Sequence, residues 1–453
     1  MEQQKKYEID MCSGPILKKM LLFAIPLMCS SILQLLFNAA DVVVVGRFAG
    51  DNSLAAVGSN TSLINLLMNL FMGLSVGANV LAARYYGAKQ NEELKKTVHT
   101  AMLVSIYSGI LLTIVGVCFA KQILIWMRAP EEVLDLSALY LRIYFLGMTS
   151  TMVYNFGSAL LRAIGDTKRP LYYLMGAGVI NVILNLIFVI YFRMDVAGVA
   201  LATVISETIS AGLVLRCLIR EKSAVHLELR EMRIDKVKFM QILKIGLPAG
   251  FQGVVFALSN VVIQSSINLF GATVVAGNSA AANIEGFVYV AMNAFHQTAI
   301  SFISQNFGAG NEKRINRCAI WAEVCVTIIE IVLRKANVIF GRPLLSIYSG
   351  SSAVIDAGMQ RLRVIARTYA LCGIMDVMVG ALRGVGYSVM PMIVSLIGAC
   401  GLRLLWLATV FQIEQYHTVH IVYLSYPITW IITLSVHMIC FVLIRRKQMK
   451  KIA

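Results

Sequence analysis

Residues 159–170 read ALLRAIGDTKRP, and residues 380–391 read GALRGVGYSVMP. Arg162 and Arg383, Gly165 and Gly386, and Pro170 and Pro391 fall in register at a spacing of 221. The echo extends outward from this stretch. GAKQNE at 87–92 returns as GAGNE at 308–312, and Pro26 and Asn38 match Pro248 and Asn260 at a spacing of 222. The chain of 453 residues therefore repeats itself once, and the fold is expected to consist of two like halves.

The composition says where those halves reside. Hydrophobic residues make up 58% of the chain and charged residues 14%, against about 25% charged in a soluble domain. Apolar runs long enough to cross a bilayer as helices, about 20 residues each, recur along the whole length. Twelve spans are expected, centred near residues 31, 68, 108, 148, 181, 207, 254, 288, 328, 369, 400 and 431. The N-terminal MEQQKKYEIDMCSGP is polar and lacks a small-residue cleavage site, so the first apolar segment is expected to be retained. Nine scattered cysteines with no CxxC read as small membrane-core residues, not as a metal or disulfide framework.

The net charge of +16 points to membrane topology and not to nucleic acid. Lys18 and Lys19, then Arg84, Lys89, Lys95 and Lys96, then Arg162, Lys168 and Arg169, and later Lys313, Arg314 and Arg317 occupy alternate connections. The tail carries Arg445, Arg446, Lys447, Lys450 and Lys451. The positive-inside rule makes these segments cytoplasmic, with both termini inside a plasma membrane. Arg361, Arg363 and Arg367 break the alternation. The longest polar connection, about 216–244, is expected to hold an amphipathic helix on the membrane surface. The domain reading is an N-lobe at 1–222 with spans one to six, a cytoplasmic linker at 223–237, and a C-lobe at 238–453 with spans seven to twelve. Six spans per half make the repeats parallel, as in transporters whose site lies between or within the lobes.

An ionised carboxylate at the centre of a span costs about 3 kcal/mol on insertion scales, so QLLFNAADVVVV at 34–45 asks for a reason. Gln34, Asn38 and Asp41 are spaced by four and three and share one helix face. Asn181 and Asn185 are four apart in the fifth span, and Thr203 offers a hydroxyl in the sixth. These groups suit a Na⁺ site or a hydrogen-bonded nest for a protonatable Asp41. The plainer alternatives are that Asp41 meets water at a helix end and that the asparagines only hydrogen-bond between helices. The counterpart of Asp41 in the second half falls near Ile263, so the repeat itself does not require the acid.

Glu207, Glu285, Asp376 and Arg403, together with Gln34 and Asn260, are the candidates for a substrate cleft or a second acidic site. A structural ion pair between Asp376 and Arg403 is the competing reading. Pro26 and Pro248 lie inside apolar spans, where each removes a backbone hydrogen bond and favours a kink. Glu330, Arg334 and Lys335 interrupt the ninth span, and Glu330 and Arg334 are spaced to pair. LLRAIGDTKRP lacks the spacing of a nucleotide loop and reads as a structural turn. With no Ser triad or His/Cys cluster either, an enzyme is not expected.

The order of these features resembles the multidrug and toxic compound extrusion (MATE) family. The likeness rests on Pro26, the Asn38/Asp41 pair, VGRFAGDNSLAAVG at 45–58, ARYYGAKQNEELKK at 83–96, LLRAIGDTKRP, SQNFGAGNEKR and LRGVGYSVMP, and it covers nearly the entire chain. The resemblance implies an all-α polytopic membrane protein, twelve transmembrane helices in two pseudo-symmetric six-helix bundles. It also implies an antiporter that exports organic, cationic compounds by alternating access, with H⁺ or Na⁺ as coupling ion and no other cofactor. In the branch related to the DNA-damage-inducible member, an N-lobe pocket is built from positions matching Asp41, Asn181, Asn185 and Thr203. Some members carry a second acid where this chain has Asn185, and its absence favours H⁺ over Na⁺. The other main branch uses a seventh-span glutamate whose position falls here at about Phe256. The implied partners are membrane lipid and small organic cations, with a monomer as the working unit; a lipid-linked precursor flippase of the same superfamily is the rival function.

Overall fold

The structure, a computed structural model, describes residues 7–127 and 130–450. The polar start at 1–6 and Lys451 lie outside the described residues. Regular structure in the described chain is helical: α1 Ile16–Phe48, α2 Asp51–Gly87, α3 Asn91–Trp126, α4 Glu131–Leu146, α5 Met148–Ala163, α6 Lys168–Leu186 and α7 Asp195–Arg220 in the first half. The second half contains α8 Lys236–Asn268, α9 Ala272–Gly308, α10 Glu312–Ser346, α11 Ser352–Gly384, α12 Val389–Ser395, α13 Leu402–Ala408 and α14 Val419–Lys450. In a bilayer each backbone polar group needs an internal partner, which helices supply within one segment.

All twelve expected centres fall in helical segments. Nine segments are long and apolar enough to span on their own, and α4 with α5 form a tenth as a pair bent by 46°. The two remaining spans, α9 and α10, are diluted by Asn278, Asn283, Asn293 and His296 and by Glu323, Glu330, Arg334 and Lys335. The eleventh span is α12 and α13 joined through a π-helical turn at Leu396–Gly401. The twelve-helix, twofold-repeated membrane architecture is thus the observed one.

The repeated motif has a local cause. Arg162 and Arg383 sit in the last turns of α5 and α11, where a cation complements the helix dipole. Gly165 and Gly386 follow at φ 93 and 95, a region that a side chain disfavours. Pro170 and Pro391 then occupy the first turns of α6 and α12, where a missing N–H costs nothing. Asp166 fills the α6 end, accepting from the N–H groups of Lys168 and Arg169 at 3.1 Å each and pairing with the Arg169 guanidinium. Arg169 also reaches Glu221 at 2.6 Å. The stretch is a structural turn, as its spacing predicts.

The chain divides into two compact units, one of residues 1–11 and 25–250, the other of 12–24 and 251–453. The division runs within α1 beside Pro26 and within α8 just after Pro248, so 12–24 and 238–250 do not pack with the lobes that the sequence halves suggest. In the first unit α2 crosses the start of α8 through GLSVG at 73–77 and GLPAG at 246–250. A Cβ on Gly73 would overlap the Gly250 backbone, and one on Gly246 would lie 2.6 Å from Leu74 Cα. Paired small-xxx-small motifs permit this backbone approach. The first unit's core is built around Leu94, Met102, Phe145, Phe156, Leu161 and Leu218. In the second, Phe23 of α1 meets Phe302 of α9 edge-on at 5.7 Å, and Ile365, Phe411, Val422 and Tyr423 form another cluster.

Two expectations are corrected here. The linker holds no long amphipathic helix; between α7 and α8 the described chain has only a short 3₁₀ turn at Leu229–Glu231. Val225, in a turn closed by His226 N–H to Ser223 O at 3.0 Å, and Leu227 are both buried and join the first unit's core. Polar contacts hold this strap to α3. His99 takes Glu228 N–H at 3.1 Å while its Nδ1 faces Lys95 O at 2.7 Å. Lys95 pairs with Glu228 and Glu231 at 3.2 and 2.8 Å, holding the Glu231 carboxyl below its usual range. Second, Glu330 and Arg334 do not pair: Glu330 is buried, whereas Arg334 and Lys335 are exposed.

Candidate functional site

The first unit encloses a cavity of about 290 Å³. Helix α1 contributes Gln34, Phe37, Asn38 and Asp41, α6 contributes Asn181, and α7 contributes Thr203, Ser206 and Glu207. Thr151 of α5 and Tyr144 of α4 add to the polar wall, with Asn65 of α2, Tyr154 and Asn155 of α5 and Ser210 of α7. Gly178 on α6 leaves space that the Phe37 ring fills, which brings α1 close enough to α6 for their polar groups to meet.

Asp41 is 8% exposed and receives two donors. Asn185 Nδ2 donates to its Oδ1 at 2.5 Å. The Thr203 hydroxyl lies 3.4 Å from its Oδ2 and 3.0 Å from Val199 O, so one proton is shared between two acceptors. Asn185 also donates to Asn181 Oδ1 at 3.1 Å, and Asn181 Nδ2 reaches Thr203 Oγ1 at 3.4 Å. The four residues form one network drawn from three helices. Asn185 is fully buried, yet its Oδ1 has no hydrogen-bond partner. An unpaired buried amide oxygen is costly, and here it stands next to a carboxylate.

Gln34 and Asn38 open onto the same cavity, two turns and one turn before Asp41 respectively. Glu207 lies one turn beyond Thr203 on α7, with Thr151 Oγ1 donating to its Oε2. Thr151, Tyr144, Phe37 and Ser206 escaped the sequence reading because contacts across helices leave no spacing signal within a helix. Among the lining residues there is no Lys, Arg or His.

The second-unit candidates are dispersed. Glu285 is bound bidentately by Arg361, Nε to Oε1 at 3.1 Å and Nη2 to Oε2 at 2.7 Å, while Arg361 Nη1 donates to Asn278 Oδ1 at 2.6 Å. Arg361 is therefore a buried structural cation in α11, which explains why it breaks the topological charge pattern. Arg403 donates to Thr429 Oγ1 at 3.2 Å and lies 4.0 Å from the Tyr426 ring centre. It forms no ion pair with Asp376 among the described residues. Asp376 is half-buried, its carbonyl 2.6 Å from His296 Nδ1. Asn260 is exposed on α8. Among the described residues no three or more His, Cys, Asp or Glu gather as a metal site.

The MatE family model matches residues 26–187 and 248–407, one match in each half of the repeat. The chain is 28% identical over 431 residues to the probable multidrug resistance protein YoeA of Bacillus subtilis, covering 92% of this chain and 91% of that one. It is 22% identical over 388 residues to the multidrug export protein MepA of Staphylococcus aureus, covering 85% of each. In fold it is similar to an outward-facing multidrug resistance MATE family transporter of the MOP superfamily, with a TM-score of 0.90 at 21% identity over 97% of this chain and 98% of that one. Two repeated matches that span most of the chain, on a twelve-helix membrane fold, lead to one assignment: the chain belongs to the MatE family.

Proposed function

We propose that this multi-pass membrane protein is a multidrug efflux antiporter, exporting organic, drug-like cations against an inward flow of H⁺ or Na⁺. The observation that carries the reading is the Asp41–Asn185–Asn181–Thr203 network at the wall of the first-unit cavity. As arranged, the amide and hydroxyl donors suit an ionised Asp41. A protonated Asp41 would need an acceptor, and a bound cation would need an oxygen ligand. The unpaired Asn185 Oδ1 supplies either by rotation of the amide. Two occupancy states of Asp41 with two hydrogen-bond patterns are what a coupling site requires. With a single carboxylate in the network, H⁺ is the favoured ion.

The protein is read as a monomer in the plasma membrane with both termini cytoplasmic. Pro26, at the point where α1 passes from one compact unit to the other, is read as the flexible joint that responds to Asp41. A cavity with carboxylates and no basic lining residue is a poor cradle for a pyrophosphate, which argues against the flippase reading.

The test is dye efflux from proteoliposomes under separately imposed H⁺ and Na⁺ gradients, with wild type and Asp41→Asn. Gradient-driven efflux by wild type and none by the variant is expected. Efflux by Asp41→Asn at the wild-type rate removes Asp41 from the coupling step, and no efflux under either gradient removes the antiporter.

A further inference from the structure

The cavity holds two carboxylates in different situations. Both oxygens of Asp41 take donors from the protein. Glu207 takes one, Thr151 on Oε2, and its Oε1 accepts none from the described residues. Thr203 and Glu207 are four apart on α7, so the second carboxylate stands about 6 Å further along the helix on the same face. The same cavity is lined by the rings of Phe37, Tyr144 and Tyr154, whose π faces favour a cation. The titratable groups lining this space are Asp41 of α1, Tyr144 of α4, Tyr154 of α5 and Glu207 itself; α2 and α6 present none.

From this we infer that Glu207 is the anchor for the positive charge of the exported compound, a specificity residue separate from the Asp41 coupling network. The inference rests on the export reading above. Its ligand class is an aromatic or alkyl ammonium small enough to lie between the three rings, with the charged nitrogen against Oε1. Asp41, with a protein donor on each oxygen, remains available for the coupling ion while substrate is bound. Charge selection and energy coupling then fall on neighbouring turns of one cavity.

Two measurements test this. Ethidium binding to purified full-length protein in detergent, followed by fluorescence polarisation, needs no gradient and reads substrate binding apart from transport. Glu207→Gln is expected to weaken it at least tenfold, and Glu207→Asp to restore part of the affinity. In proteoliposomes, Glu207→Gln is expected to lose ethidium efflux while efflux of an uncharged compound, chloramphenicol, stays within twofold of wild type. Unchanged ethidium affinity in Glu207→Gln overturns the assignment. So does equal loss of both compounds, or failure of Glu207→Asp to recover any affinity, because a merely structural role predicts those results. Wild type that binds ethidium through Glu207 but exports nothing under any gradient instead sinks the export reading.

Discussion

Arg361→Met is expected to destabilise the second unit strongly, and its cost can be worked from the pair that it breaks. The guanidinium makes three short charged hydrogen bonds, two to Glu285 and one to Asn278. The two side chains are 10% and 5% exposed, so water cannot replace the lost partner. Removing one member of such a pair costs about 3–5 kcal/mol, mainly because the other charge is left buried and unpaired. The loss should therefore depend on the survivor's charge. Adding Glu285→Leu to Arg361→Met should recover more than half of the stability, since a fully apolar replacement of a buried pair is often near neutral. Thermal unfolding of wild type, both single variants and the double variant in one detergent gives the cycle. Arg361→Met unfolding at the wild-type temperature, or a double variant weaker than either single one, would refute the claim that Glu285 serves Arg361 and not a transported cation.

Three further outcomes follow from other contacts. Asn185→Asp places a second carboxylate against Asp41 and should make efflux depend on Na⁺, measured as dye efflux with and without a Na⁺ gradient; unaltered ion dependence would argue against this wall as the ion site. Gly246→Leu forces a side chain into the Leu74 backbone and should cost at least the 1–3 kcal/mol typical (roughly) of overpacking, seen as a lowered unfolding temperature, whereas Gly212→Leu, with open space around it, should not. His99→Ala removes the ring that joins Lys95 and Glu228 and should speed tryptic cleavage at Arg230 and Arg233 several-fold; an unchanged cleavage rate would mean that the strap is held elsewhere.

The sequence made some of this legible and hid the rest for identifiable reasons. Spans were readable because each helix must be apolar along its own length, and the turn at Gly165 and Gly386 because its residues are contiguous. Asp41 with Asn38 and Gln34, and Asn181 with Asn185, were visible as pairs four or three apart. That these faces meet across α1, α6 and α7 depends on helix rotation and on Gly178 yielding to Phe37, which no spacing encodes. Arg361 looked like a loop cation because its neutralising partner lies 76 residues away. The strap's Val225 and Leu227 alternate over too few residues to be distinguished from one face of a helix. Glycines 73, 77, 246 and 250 passed unremarked in the sequence, and their meaning appears only once α2 and α8 are seen to cross.

That crossing says something about how the repeat is used. The opening of α8 belongs by sequence to the second copy, yet it packs against α2 of the first, while Phe23 from the opening of α1 packs against Phe302 of the second. Each copy thus lends its leading segment to the other, a reciprocal loan of the kind seen when two identical subunits exchange an arm. A gene cut at the strap would yield two polypeptides that are each missing a piece of their own core. Neither copy is self-sufficient in this packing, although only fifteen or so residues separate α7 from α8.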